Sequence, residues 1–99
     1  MAPGGDTSVD QNGDGYGDGI LQQTFSGSTK SFGYYFFQGT SMATPHVAAI
    51  AALVKANKPA YTAAQVRNAI QGSCLDLGAG GFDAEYGWGL VNAADALTR

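Results

Sequence analysis

Residues 39–48 read GTSMATPHVA, and this stretch opens the strongest predicted helix of the chain, which Pro59 ends. A serine in the first turn of a helix has unpaired backbone N–H groups around it and the positive end of the helix dipole beside it. Both features stabilise the oxyanion that forms when a hydroxyl attacks a carbonyl group. Ser41 is therefore a candidate nucleophile, and Gly39 permits a close backbone approach just before it. The alternative is that Thr40 or Ser41 is only a helix N-cap.

The predicted helix is apolar on every side between Val47 and Val54. A helix of this kind lies either in the middle of a large protein or in a membrane. The run is too short for the roughly 18 apolar residues that a membrane span needs. The pattern therefore predicts a central helix of a larger domain.

The other predicted elements are two short strands and two helices, at residues 20–25, 31–37, 63–71 and 93–98. Thr62 and Gln65 have the spacing of a capping box, and Gly72 is a typical residue to end the helix that follows. Asn92 is a suitable N-cap for the last helix. These elements predict an α/β chain without internal repeats or linkers.

The composition suits a buried piece better than a free-standing domain. Charged residues make up 13% of the 99 residues, about half the usual ~25%, and the 15 glycines are about twice the usual share. A small domain normally covers its large surface with charge. The net charge of -3, without a Lys/Arg cluster, argues against a nucleic-acid partner, and no segment predicts a membrane span. We therefore expect much of this chain to be buried against other polypeptide.

The stretch from Gly39 to Ala48 resembles the nucleophile segment of the subtilisin-like serine proteases, the subtilases, at all ten positions. Residues 2–4 resemble the family's Ala-Pro-Gly turn, and residues 85–97 resemble its closing segment. The resemblance covers essentially the whole chain apart from an acidic insertion at residues 5–19. It implies that residues 1–99 are the C-terminal part of a catalytic domain with a three-layer α/β fold and a mostly parallel sheet. Within this part, residues 39–58 hold the nucleophile segment and the central helix.

The resemblance also implies roles for individual residues. Ser41 would be the nucleophile of a serine endopeptidase acting on polypeptides, and its backbone N–H one oxyanion donor. Thr40 would border the oxyanion site, and Met42 would lie beside the nucleophile. In the family the triad Asp and His and the oxyanion Asn precede the Ala-Pro-Gly turn, so we expect them outside this chain. Residues 1–99 alone are then expected to be inactive without the N-terminal part of the domain, and the intact protein to be secreted.

His46 is the only histidine of the chain. On a helix it would lie about 7.5 Å along the axis from Ser41 and about 140° around it, so it is poorly placed to take the serine proton. The resemblance likewise implies a structural role for His46. An α/β-hydrolase is disfavoured because those enzymes need a histidine far downstream of the serine, and none follows His46.

The acidic insertion has the ligand spacing of an EF-hand calcium loop. Oxygen ligands at loop positions 1, 3, 5, 7 and 9 would come from Asp10, Asn12, Asp14, the Tyr16 carbonyl and Asp18. Gly15 stands at the sharp turn, whereas position 12 is Leu21 and lacks the usual bidentate Glu. We expect a structural Ca²⁺ here, with Asp6 as a candidate for the missing ligand; the alternative is a solvated Asn/Asp/Gly turn.

A different class of function stays open from the sequence: a non-catalytic, calcium-stabilised module or a truncated protease remnant. The lone Cys74 excludes an internal disulfide, and it is expected either to be half-buried or to pair with an upstream cysteine. Tyr86 and Trp88 lie in a glycine-rich segment and are expected to be packing residues.

Overall fold

The computed structural model describes all 99 residues, as a two-stranded sheet followed by three helices. The strands and helices, in chain order, are β1 (Ile20–Phe25), β2 (Phe32–Phe37), α1 (Thr40–Asn57), α2 (Ala63–Gly72) and α3 (Ala93–Thr98). Every predicted element is present, with bounds within one residue of those expected. None of the three helices combines the length and the apolar content needed to cross a membrane.

The sheet is an antiparallel hairpin in which Ile20 pairs with Phe37 and Phe25 pairs with Phe32. Its connection is a serine-rich turn with Gly27 at a φ of 77°, a conformation that glycine adopts without strain. The only strands in residues 1–99 are these two. The mostly parallel sheet implied by the resemblance is therefore not formed within this chain, although a small sheet together with three helices is consistent with a fragment of an α/β fold.

The chain divides into two compact units. Residues 3–43 form one unit, which contains the N-terminal loop, the hairpin and the first turn of α1. Residues 1–2 and 44–99 form the other, which contains the remainder of α1 together with α2 and α3. The hydrophobic core lies in this second unit and consists of Ile50, Val54, Ala69, Ile70 and Ala96.

Local hydrogen bonds fix the starts of α2 and α3 where the sequence predicts them. The Thr62 hydroxyl accepts from the Gln65 N–H while the Gln65 side chain accepts from the Thr62 N–H, which completes the capping box of α2. The Asn92 side chain accepts from the Asp95 N–H at the start of α3. Both caps satisfy N–H groups that the first turn of a helix leaves without partners.

Helix α1 buries little of its apolar surface within these residues. Only Ile50 and Val54 are buried, whereas Leu53 is 51% exposed. An apolar groove of about 650 Å³ runs between α1 and α2, lined among others by Val47, Ala51, Val66 and Ile70. Leu53 and the groove therefore leave apolar surface of α1 exposed to solvent in residues 1–99.

Candidate active site

Ser41 is the second residue of α1 and is exposed to solvent. Strand β2 ends at Phe37, and the chain passes into the helix through Gly39, whose φ of 131° is strained for any residue with a side chain. The N–H groups of Met42 and Ala43 both donate to the Gly39 carbonyl, at 3.0 and 3.3 Å. The Ser41 N–H is then the amide of this turn that remains a candidate oxyanion donor.

The Ala-Pro-Gly turn lies directly against the segment that carries Ser41. The Gly39 N–H donates to the Gly4 carbonyl at 2.8 Å. A Cβ placed on Gly4 would lie only 2.7 Å from the Gly39 carbonyl oxygen, so this close approach requires glycine. Two sequence motifs that are 35 residues apart thus meet at the turn before Ser41.

A side-chain contact that the sequence did not reveal supports the same turn. The Oε1 atom of Gln38 accepts two hydrogen bonds from Thr7, one from its backbone N–H at 2.7 Å and one from its hydroxyl at 2.8 Å. Neither residue belongs to a recognisable motif, and 31 positions separate them. No signal in a single sequence would have paired them.

His46 lies on α1 five residues after Ser41, the separation on which the sequence argument rests. The argument against a Ser41–His46 pair assumed that both residues lie on one helix. The structure has α1 as a continuous helix from Thr40 to Asn57, so the assumption is correct. No second histidine exists in the 99 residues. A catalytic imidazole for Ser41 would have to come from residues outside 1–99.

The acidic loop is organised by hydrogen bonds from its own backbone. The Asp10 carboxylate accepts from the N–H groups of Gly13, Asp14 and Gly15 at 2.8–3.2 Å. Asp14 accepts from the Tyr16 N–H at 2.8 Å, and Asp18 accepts from the Gln11 N–H at 2.9 Å. The side-chain oxygen of Asn12 accepts from the Asp14 N–H.

These bonds shape a tight turn without gathering the carboxylates around one point. The structure contains no group of three or more Asp, Glu, His or Cys side chains that could hold a metal ion. The donor types suit Ca²⁺, but Asp10, Asp14 and Asp18 do not converge in this conformation. The calcium site stays a prediction.

The base of the acidic loop is closed by backbone bonds and by Asp6. The Asp6 N–H donates to the Asp18 carbonyl at 2.9 Å. The side chain and backbone N–H of Ser8 both donate to Asp6 Oδ1, and they hold the pKa of Asp6 below its ordinary value. A lowered carboxyl pKa stabilises the fold above the unfolded value of about 3.9, and this contribution is lost as the pH falls through the folded value.

Removing the Ser8 hydroxyl is expected to raise the pKa of Asp6 towards its ordinary value. In Ser8→Ala the backbone N–H still donates, but the hydroxyl bond that contributes most to the lowering is absent. The measurement is an NMR titration of the Asp6 carboxyl carbon in the labelled chain. Asp95, whose pKa is lowered chiefly by its hydrogen bond from Arg99, is the internal control and should not move. An unchanged Asp6 midpoint would contradict the assignment.

The sequence analysis also singled out Cys74, Tyr86 and Trp88, and all three contact or lie against other parts of the chain. Cys74 is half-buried, as expected, and its thiol donates to the Ile70 carbonyl; pairing with an upstream cysteine stays the alternative. Trp88 packs edge-on against Phe82, with ring centroids 5.4 Å apart. Tyr86 is half-buried.

The sequence profile of the Subtilase family, Peptidase S8, matches residues 1–89. The chain belongs to the subtilase family. This membership agrees with the motif at residues 39–48 and with the meeting of the Ala-Pro-Gly and nucleophile turns.

Two curated subtilase relatives match over 79 residues, or 80% of this chain. Alkaline elastase YaB from Bacillus sp. (strain YaB) is 46% identical, and Subtilisin BL from Lederbergia lenta is 47% identical. The matched part is 19% of the first relative and 26% of the second. The chain thus spans about a fifth to a quarter of the length of these relatives.

Solved subtilase structures share the fold of the chain. A protease from Pseudoalteromonas arctica PAMC 21717 superposes with a TM-score of 0.76 at 36% identity, over 97% of this chain and 27% of that one. The psychrophilic subtilisin-like protease Apa1 from Pseudoalteromonas sp. AS-11 superposes with a TM-score of 0.62 at 44% identity, over 65% of this chain and 15% of its own. The α/β fold class, as a piece of the subtilisin-like fold, is confirmed.

Proposed function

We propose that residues 1–99 are the nucleophile-bearing part of a subtilisin-like serine endopeptidase, with Ser41 as the nucleophile. The observation that carries this proposal is an exposed serine in the first turn of α1, two residues after a glycine with a positive φ, within a full ten-residue family motif. Such a position places the helix dipole and a free amide where negative charge develops.

In the proposed reaction the Ser41 hydroxyl oxygen attacks the carbonyl carbon of a peptide bond. The hydroxyl proton passes to a histidine outside these residues, and the Ser41 N–H donates to the carbonyl oxygen as it becomes an oxyanion. The amine leaves with a proton from the same histidine, which gives an acyl-enzyme on Ser41. Water then attacks the ester and restores the serine.

The partner of this chain is, on this proposal, the remainder of a subtilase catalytic domain. It would supply the catalytic histidine, since His46 is poorly placed for that role, and the aspartate that orients it. It would also cover the apolar groove beside α1 and the exposed Leu53. Residues 1–99 alone are then inactive, because a serine without its base is a poor nucleophile.

A chimaera tests the proposal. Residues 1–99 replace the matching 27% of the Pseudoalteromonas arctica protease, which contributes the rest of the domain. We expect the chimaera to hydrolyse a peptide substrate and the isolated chain not to. A chimaera that is folded by circular dichroism but inactive would overturn the proposal and leave the non-catalytic module as the better account.

We also propose that the acidic loop takes up a structural Ca²⁺ after a local rearrangement, with ligands from Asp10, Asn12, Asp14, the Tyr16 carbonyl and Asp18. These residues have the ligand spacing of a calcium loop, and their oxygen donors are those that Ca²⁺ prefers. Bound Ca²⁺ would offset the repulsion among three carboxylates in a nine-residue loop. Since extracellular calcium modules bind at about 10⁻⁴–10⁻³ M, such a site suits a secreted protein, which we propose as its location.

Calcium is expected to raise the thermal unfolding temperature of the chimaera at millimolar concentration. The Asp14→Asn variant should lose most of this shift, because it removes one carboxylate charge without changing the size of the side chain. Magnesium at the same concentration is the matched control and should stabilise much less, since it demands a tighter octahedral site. Equal unfolding temperatures with and without calcium would contradict the proposal.

A further inference from the structure

We propose that Gln38 is a positioning residue for the nucleophile, held in place by Thr7. The inference rests on the proposed role of Ser41 and adds a residue pair that acts on it. Gln38 is the last residue before the Gly39-Thr40-Ser41 turn, and its side chain is fixed by two donors from a single residue.

The end of the acidic loop, at Gly17 and Gly19, packs closely against Thr7. A Cβ on Gly17 would lie 2.3 Å from the Thr7 carbonyl oxygen, so the two backbones are in direct contact. A Cβ on Gly19 would lie 2.9 Å from Thr7 Cγ2. Because Gly17 and Gly19 have no side chains, the backbone can pack around Thr7. The N–H and hydroxyl of Thr7 therefore donate to Gln38 from a fixed position.

The hydrogen bonds at Gln38 and Gly39 both hold the turn before Ser41, and both are made with residues 4–7. Gly4 binds the Gly39 N–H, and Thr7, three residues further on, binds the Gln38 side chain. The main chain before Ser41 is therefore restrained at two consecutive residues. The second restraint depends on one acceptor atom, the Oε1 of Gln38, which receives both Thr7 donors.

A displaced turn would move the Ser41 hydroxyl relative to its base and its substrate carbonyl. Misplacement of a reacting group by about 1 Å costs on the order of a hundredfold in rate. The hydrogen bonds at Gln38 are solvent-exposed, and their removal loosens the turn rather than displacing it fully. We therefore expect a smaller loss, of about tenfold, which matches the net worth of one to two hydrogen bonds.

The test compares two substitutions at Gln38 in the active chimaera. Gln38→Met keeps the length of the side chain but has no acceptor, and it should lower kcat about tenfold while KM changes less than about twofold. Gln38→Glu keeps the acceptor, and it should retain kcat within about twofold of the parent. Thr7→Val loses only the hydroxyl, so its kcat should lie between those of Gln38→Met and Gln38→Glu. Thr7→Ser keeps the hydroxyl, so its kcat should equal that of the parent.

Two readouts separate this role from a purely structural one. Unfolding temperatures of the Gln38 variants should agree within a few degrees, so that kcat changes without loss of fold. In addition, amide exchange at Thr7, followed in the isolated chain, should accelerate in Gln38→Met and not in Gln38→Glu, because the Thr7 N–H donates to the acceptor that only Gln38→Met lacks.

The outcomes also distinguish this inference from the proposed function. Full kcat in Gln38→Met, with Ser41→Ala inactive, would overturn the positioning role and leave the nucleophile assignment intact. An equal loss of kcat in Gln38→Met and Gln38→Glu would likewise overturn it, since the acceptor would then be irrelevant. Unchanged Thr7 exchange in Gln38→Met would show that the contact does not form in solution.

Discussion

Replacing Ser41 with alanine in the chimaera is expected to lower kcat by about a millionfold. Loss of the nucleophile from subtilisin itself has an effect of this size, about 2 × 10⁶, and this chain belongs to the same family. The change removes one oxygen from an exposed side chain, so the fold should be unaffected. The measurement is peptide hydrolysis by the purified chimaera, with kcat and KM determined separately.

Ser31→Ala is the matched control for this experiment. Ser31 is another exposed serine of the same unit, in the turn between β1 and β2, and it should tolerate the same change with full activity. A Ser41→Ala chimaera that retains more than about a thousandth of the parent kcat would contradict the assignment, because residual catalysis without the nucleophile does not reach that level.

Replacing Gly89 with alanine is expected to destabilise the fold by roughly 3 kcal/mol or more, since strained backbone alone costs about 1–3 kcal/mol. Gly89 is buried at a φ of 105°, where a residue with a side chain is strained. Its added Cβ would lie 2.0 Å from the carbonyl oxygen of Leu75. That carbonyl accepts the Leu90 N–H at 2.9 Å, in the bridge that joins the segment after α2 to the segment before α3.

The matched control is Gly80→Ala in the glycine-rich segment before Phe82. Gly80 is exposed, its φ is not positive, and an added Cβ would meet nothing within 4 Å. We expect this change to alter stability by no more than about 0.5 kcal/mol. The measurement is the thermal unfolding temperature of each variant in the chimaera. Equal unfolding temperatures for the two variants would show that the Gly89 contact is not formed.

The secondary structure could be predicted from local signals. The helix of residues 40–57 and its apolar run are continuous in the sequence, and the capping box at Thr62 and Gln65 needs only a three-residue spacing. The two strands stand out by their aromatic and β-branched content between glycine- and serine-rich turns. The antiparallel pairing of β1 with β2 was not foreseen, because the resemblance emphasised a parallel sheet.

The candidate site could be predicted only in part. Ser41 and Gly39 belong to a contiguous motif, so the family resemblance identifies them at once. The contact between Gly4 and Gly39 and the bonds between Thr7 and Gln38 depend on how the chain turns back on itself. Neither pair has a local pattern, so a single sequence could not place them together.

The shortage of charge in the composition has a physical explanation in the structure. The groove beside α1 and the side chain of Leu53 are exposed in residues 1–99, and the groove is mostly apolar, with Lys55 and Arg67 among its lining residues. If the remainder of a catalytic domain covers this surface, as we propose, a low charge content lowers the cost of burying it. The same argument predicts that the isolated chain exposes more apolar surface than the chimaera.

The most direct test of Ser41 as the nucleophile is mass spectrometry after treatment with a fluorophosphonate, which forms a covalent bond only with an activated serine. We expect the adduct on the Ser41 peptide of the chimaera and no adduct on the isolated chain over the same time. An active chimaera that carries the adduct on another serine, or none on Ser41, would contradict the assignment. Labelling of Ser41 in the isolated chain at the rate of the chimaera would contradict the need for the remainder of the domain.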